Sequence, residues 1–263
     1  MKISRLLCAA AICALGVSCN KIGSDDPAED YSLLPDYTVT TDGSGNNISK
    51  IEYVYKTSGY TESETHYVWE DEDWKQAHAY QYSYEFGSYY ILTRYTKSEN
   101  GNPVLDYFYD YYSSGLLGLA EYNLYVDGEL SESILQQYTY NIDNDTITAR
   151  TIYTYDEEEE EWNETEQDEY EYNDSGALQS LVVKTSDGSK LTEYSKSVCS
   201  YTDGNLTGTS VYLKDGADWV LYQKNTCTFD AHDRKITEKV EFSGDAAQTA
   251  EHPVTVTTYH YTD

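Results

Sequence analysis

Asp168-Glu169-Tyr170-Glu171-Tyr172-Asn173-Asp174-Ser175-Gly176-Ala177-Leu178 reads strand, turn, strand. Tyr170 and Tyr172 alternate with acids as a half-buried strand requires, Asn-Asp-Ser-Gly is turn chemistry, and Leu178 restarts the apolar pattern. The same aromatic doublet stands at Tyr82/Tyr84, Tyr107/Tyr109, Tyr138/Tyr140, Cys199/Tyr201, Cys227/Phe229 and Tyr259/Tyr261. Its closing residues are 25, 31, 32, 29, 28 and 32 positions apart, so the chain is an internal repeat with a period near thirty.

A second register runs in phase with the first. Ten residues before the closing aromatic stand Trp74, Leu130, Trp162, Leu191 and Trp219, while Glu99 and Glu251 occupy that place in the two remaining units. Each period also holds a second turn signal near its middle, including Asn100-Gly101, Asp127-Gly128, Asp187-Gly188 and Asp215-Gly216. Asn-Gly and Asp-Gly between alternating segments are hairpin signals, because both residues tolerate positive φ. The unit is therefore a β-hairpin. The reading is all-β, a long antiparallel meander of about fourteen strands, and so wide a twisted sheet must curl onto its aromatic face.

Residues an even number before the closing aromatic share its face unless a bulge intervenes. This parity places the doublets and the Trp/Leu register on one sticky face and Ser83, Thr139, Glu171 and Thr228 on a wet one. It also argues against a lipid-spanning barrel, since Lys190 to Ser200 and Thr165 to Glu171 carry polar groups on both parities. Cys199 and Cys227 hold the same repeat phase, two strands apart at ~9.6 Å, which is too far for a disulfide. Both are expected to be buried thiols.

The chain divides into a leader over 1–18, a tether over 19–36 and the repetitive domain over 37–263. Lys2 and Arg5 precede an apolar run from Leu6 to Leu15, the form of a secretory signal peptide. Leu15-Gly16-Val17-Ser18-Cys19 resembles the lipobox of bacterial lipoproteins, which implies cleavage before Cys19, acylation of that residue and membrane attachment through the lipid. Asn20 to Asp36 is too polar to bury and broken by Pro27 and Pro35. Its Ser24-Asp25-Asp26 resembles the acidic export signal of lipoproteins that some Gram-negative bacteria carry to the cell surface. The expected location is the outer membrane or cell surface. The formal charge of −30 excludes nucleic acid as a partner, because phosphate binding depends on Lys and Arg.

Tyr170 to Leu178, Tyr201-Thr202-Asp203-Gly204-Asn205-Leu206 and Phe229-Asp230 resemble the tyrosine-aspartate repeats of the RHS/YD-repeat group. That resemblance covers most of the chain after about Asp42 and implies successive hairpins in a long curled sheet. The arginine usual after the family's glycine does not follow Gly176 or Gly204. A fold follows from such a likeness, and an activity does not.

Motifs for chemistry are lacking: no nucleophile elbow, phosphate loop or His-Glu-x-x-His is found. His66, His78, His232, His252 and His260 lack metal-ligand spacing, and no catalytic residue, metal or cofactor is expected. The candidate ligand-binding residues are Trp69, Trp74, Trp162 and Trp219, whose rings could stack on sugars; the competing reading makes the in-phase ones core residues, because Leu130 and Leu191 share their register. The expected function is a non-catalytic surface binding protein for a glycan, another polymer or a partner protein. A structural shell or spacer comes second, and a glycoside hydrolase-like enzyme third.

Overall fold

The computed structural model describes residues 34–88, 91–141, 143–243 and 253–261. The leader, Cys19, the tether up to residue 33, Glu251 and His252 lie outside them. Sixteen strands follow in order: β1 (Tyr37–Asp42), β2 (Asn47–Tyr55), β3 (Thr61–Glu70), β4 (Asp73–Phe86), β5 (Leu92–Glu99), β6 (Asn102–Tyr111), β7 (Leu117–Val126) and β8 (Glu129–Asn141). Then come β9 (Thr146–Asp156), β10 (Glu161–Tyr172), β11 (Leu178–Ser186), β12 (Leu191–Thr202), β13 (Asn205–Asp215), β14 (Asp218–Phe229), β15 (Lys235–Phe242) and β16 (Thr255–His260).

Each strand is hydrogen-bonded to the next and β1 pairs with β16, so the meander closes into a barrel of sixteen strands and has no edge. About fourteen strands in an open curl is thereby corrected. The two extra strands come from a Tyr53/Tyr55 doublet one period before Tyr82/Tyr84 that the repeat count left out. The closing seam runs from Tyr37 opposite His260 to Asp42 opposite Thr255. It is reinforced by the Tyr37 and His260 rings stacked at 4.3 Å and by a 2.9 Å bond between the Thr40 and Thr257 hydroxyls.

Residue contacts divide the chain into two units, one made of 1–48, 172–181 and 195–263, the other of 49–171 and 182–194. The same devices build both. Near the first turn of a hairpin, β4, β6, β8, β10 and β14 each carry one unpaired extra residue: Ala77, Val104, Ser131, Thr165 and Tyr222. Near the other end, β3, β5, β7, β9, β13 and β15 do the same with Glu62, Thr93, Gly118, Thr148, Thr207 and Ile236. Such bulges raise the local twist and bend the strand, which is how a hairpin array turns corners. Four of the extra residues are threonines whose hydroxyls donate to carbonyls of the facing strand, Thr93 to Glu85, Thr148 to Thr139, Thr165 to Ile152 and Thr207 to Ser200.

At these second bulges the paired closing residues are Tyr55, Phe86, Tyr111, Tyr140, Tyr201 and Phe229. Tyr84 and Tyr109, taken as closers from the sequence, sit two residues early. In four hairpins a tyrosine hydroxyl ties the end shut: Tyr111 donates to the Leu92 carbonyl at 2.8 Å, Tyr140 to Leu117 at 2.9 Å, Tyr201 to Leu178 at 2.9 Å and Tyr261 to Lys235 at 2.7 Å. Phe86 has no hydroxyl, and Tyr84 supplies the equivalent bond to Thr61 at 2.8 Å.

The turns explain why Asx residues recur after the doublets. Asn173 Oδ1 accepts from the Ser175 and Ala177 amides, and Asp230 Oδ1 from the His232 and Arg234 amides, closing five-residue turns. In the latter turn Asp233, at φ 60°, stands where Gly176 stands in the former, and Arg234 follows it. Arg234 Nε donates to Asp230 Oδ2 at 2.7 Å while its guanidinium lies 4.9 Å from the Tyr261 ring.

Asp230 and Asp187 titrate low, at about 2. For Asp230 burial pushes upward, and Arg234 with the turn amides outweighs it; for Asp187 the Ser189 hydroxyl and amide lead. A carboxyl whose pKa is lower in the folded chain contributes stability above its unfolded value of about 3.9 and loses it as pH falls. The thermal midpoint gap between wild type and an Asp187→Asn, Asp230→Asn variant should therefore be constant from pH 7 to 5 and close between pH 4 and 2. A gap independent of pH would contradict the turn assignment.

Burial alternates along the strands and identifies the inner face. Ile134, Gln136, Ile152, Asp168, Ser197, Val211, Gln223 and Asn225 are buried there, between outward neighbours that are more exposed. In the first unit that face carries Ser197, Val211, Gln223 and Asn225. Cys199 and Cys227 are reduced thiols on it, on strands two apart as expected, but they are half-buried rather than buried.

Candidate functional site

The inner face of the second unit is a wall of tyrosines. Register pairs Tyr84 with Tyr95, Tyr95 with Tyr107 and Tyr107 with Tyr122, one ring per strand from β4 to β7. The centroids are 6.2, 4.8 and 5.0 Å apart, and Tyr82 and Tyr109 flank the row at 6.4 Å from Tyr95. Tyr95, Tyr107 and Tyr122 face one another across the strands, so the wall offers ring edges and hydroxyls inward rather than open ring faces. Burial lifts the Tyr84 phenol to about 12 and drives Tyr95, Tyr82 and Tyr109 higher still, so all four are neutral donors at physiological pH. None of the described aromatic side chains is fully buried.

A charged cluster closes the β3 side of this wall. Lys97 Nζ lies 2.6 Å from Glu64 Oε1 and 3.9 Å from the centre of the Tyr80 ring. His66 Nε2 is 3.0 Å from Glu64, His78 Nδ1 is 2.8 Å from Glu99, and the two histidines are directly opposite on β3 and β4. Burial pushes the Glu64 carboxyl upward, but the Lys97 ammonium outweighs it and holds the group below its ordinary range. The sequence reading treated these histidines as unrelated. Their pairing was hidden by the bulge at Ala77, which offsets positions 66 and 78 about the Asp71-Glu72 turn.

On the opposite side stands a buried ion pair. Arg150 donates through Nε at 2.8 Å and through a second nitrogen to Asp168 Oδ2, with Tyr170 Oη at 3.4 Å from the same oxygen. Register sets Tyr138 opposite Arg150 and Arg150 opposite Asp168. Burial pushes the Asp168 carboxyl above its usual range against the pull of Arg150. A signal was present: Asp168 has the parity of Tyr170 and Tyr172, and hence points inward.

The candidate tryptophans lie elsewhere. β3 has no extra residue between Glu64 and Glu70, so Trp69 points away from inward-facing Glu64 and His66, and Trp74 is its cross-strand partner with rings 4.9 Å apart. Trp162 pairs with Tyr155 at 5.2 Å and is 37% exposed. In the first unit Trp219 is opposite Lys214, whose ammonium sits 4.4 Å from its ring. Parity placed this register on the doublet face. The bulges at Ala77, Thr165 and Tyr222 reverse it, so the tryptophans flank acidic turns on the outer face. Leu130, opposite Tyr125, is 48% exposed, which removes the core reading of that position. Among the described residues no acids, histidines or cysteines gather as a metal site.

The outer face carries many charges, with exposed Val54 and Phe108 among them. In the second unit it carries Lys50, Glu52, Arg94, Asp106, Glu121, Glu164, Glu169 and Lys184, several joined as Lys50 to Glu52, Arg94 to Asp106 and Lys184 to Glu169. In the first unit Lys196, Lys224, Lys239 and Glu241 occupy the same face.

No family model matches the chain, and no curated protein matches it. The solved structures include likenesses at low identity. A porin-like protein from Bacteroides vulgatus is 10% identical over 87% of this chain and 98% of its own, with a TM-score of 0.52. A porin-like protein from Bacteroides uniformis is 8% identical over the same shares, with a TM-score of 0.49. A Tc holotoxin pore structure from Photorhabdus luminescens is 12% identical over 80% of this chain and 12% of that one, at a TM-score of 0.31. The first of these establishes a shared barrel fold.

Proposed function

We propose that this is a non-catalytic binding protein of the cell envelope, tethered to the outer membrane by lipid on Cys19, whose barrel stands in water and holds a hydroxyl-rich polymer, with glycan as the foremost class. The observation that carries the reading is the tyrosine wall: a row of rings stacked on each other, none fully buried, with neutral hydroxyls directed inward between two ion pairs. Phenol, carboxylate and guanidinium groups side by side match ligands that both donate and accept hydrogen bonds. The porin-like neighbours and the lipobox resemblance both fit an outer-membrane address. A spanning channel fits poorly, because each Lys or Arg on a lipid face costs ~2–4 kcal/mol near the bilayer centre and this face carries many. The Asx-capped turns and Arg234 support kinship with the YD-repeat group.

The test is a glycan array with the full chain, followed by titration of any ligand found. Tyr95→Phe with Tyr109→Phe keeps the rings and removes two hydroxyls, so binding should weaken at least tenfold with an unchanged thermal midpoint. Equal affinity in the double variant would refute a role for the wall.

A further inference from the structure

The β5–β6 hairpin departs from its neighbours at one register. One pair in from the turn, the other hairpins of this unit set large side chains opposite each other, Trp69 with Trp74, Tyr125 with Leu130 and Tyr155 with Trp162. Here the pair is Ser98 with Pro103. Beside Pro103, between the β5–β6 and β7–β8 turns, lies a cleft of about 280 Å³. Pro103, Val104 and Tyr125 give it apolar surface, and Asn100, Asn102 and Asp127 give it polar groups.

We propose that this cleft binds one pyranose ring of an uncharged glycan. A pyranose has a hydrocarbon face and a rim of hydroxyls that both donate and accept. A tyrosine ring beside proline and valine covers the former, while two amides and a carboxylate answer the latter in both senses. Asn100 and Asp127 are fixed at φ 52° and 54° in two-residue turns, with Gly101 and Gly128 as their turn partners, so the backbone carrying both groups is ordered before the ligand arrives. The volume is just below the range of drug-sized pockets and suits a single ring rather than an oligosaccharide. Glu99 and Asp127 in the lining, with Glu129 on the same turn, turn away uronates and phosphosugars. Tyr125 is held by its own hydroxyl, 3.4 Å from Asp106 Oδ2, which orients the ring. The inference rests on glycan binding but uses the turn end of the hairpins, away from the row of Tyr84, Tyr95, Tyr107 and Tyr122.

Saturation-transfer NMR of the full chain with methyl glycosides of glucose, galactose, mannose and N-acetylglucosamine tests it. At least one should receive saturation, with affinity in the millimolar range typical of a single shallow contact. Pro103→Trp restores the bulk that the repeat has elsewhere and should plug the cleft that Pro103 lines; Asn102→Ala removes an amide without filling it. Each should weaken binding at least tenfold at an unchanged thermal midpoint, and if Pro103→Trp fails to fold, Asn102→Ala decides alone. No transfer to any glycoside in the wild type, or binding retained in a folded variant, overturns the proposal. A blank polymer array with glycoside binding intact would instead count against the tyrosine wall and leave the cleft standing.

Discussion

Asp168→Ala is expected to destabilise the fold by about 3–5 kcal/mol, the cost of leaving a buried charge without its partner. Asp168 is completely buried, and Arg150 directs two nitrogens onto its Oδ2. Removing the carboxylate takes away the group that accepts both of the bonds the guanidinium donates there. For a chain of this size the thermal midpoint should fall by roughly 10 °C. Replacing both partners, Arg150→Met with Asp168→Leu, removes the need for pairing and should recover most of the loss. A drop under ~1 kcal/mol for Asp168→Ala would mean that the pair is wet, and the assignment of the inner face would fail with it. On the outer face Glu169→Ala, next along the strand, should be nearly silent, since exposed pairs such as Glu169 with Lys184 contribute little.

Much of this architecture was legible in the sequence, and the misplaced faces share one cause. Hairpin period, turn chemistry and the inward doublets follow from local alternation, which a strand cannot hide. A bulge is different, because one extra residue leaves no mark in composition yet reverses the face of everything beyond it. Ala77 and Thr165 did this to Trp74 and Trp162, turning residues read as core or ligand platform into outer-face pairs. Closure was equally hidden. β1 and β16 are six residues each, and the Tyr37 to His260 pairing links opposite ends of the chain, beyond the reach of any local pattern. The Ser98 and Pro103 gap had left a trace, since Glu99, where the large-residue register misses, is next to Ser98 and itself lines the cleft.

The candidate site was less legible than the fold. Glu64, His66, His78 and Lys97 come from three strands and meet only because consecutive hairpins stack their inward positions side by side. In a chain with 47 acids, no single carboxylate announces itself as the buried one. What could have been used is parity: an acid at doublet parity, such as Asp168, must point where the tyrosines point, and a charge on that face needs a partner.

The two faces make a strong demand on the N-terminal leader. The proposed function puts all membrane association on lipid at Cys19, because a barrel with charges along its outer wall gains nothing from lipid. Replacing Cys19 with serine in cells and separating membranes from soluble material, without detergent, tests this most directly. Full release of a folded, protease-resistant barrel into the soluble fraction is the predicted result. Retention of the Cys19→Ser protein in the outer membrane as an integral barrel, extractable only by detergent, would contradict the account.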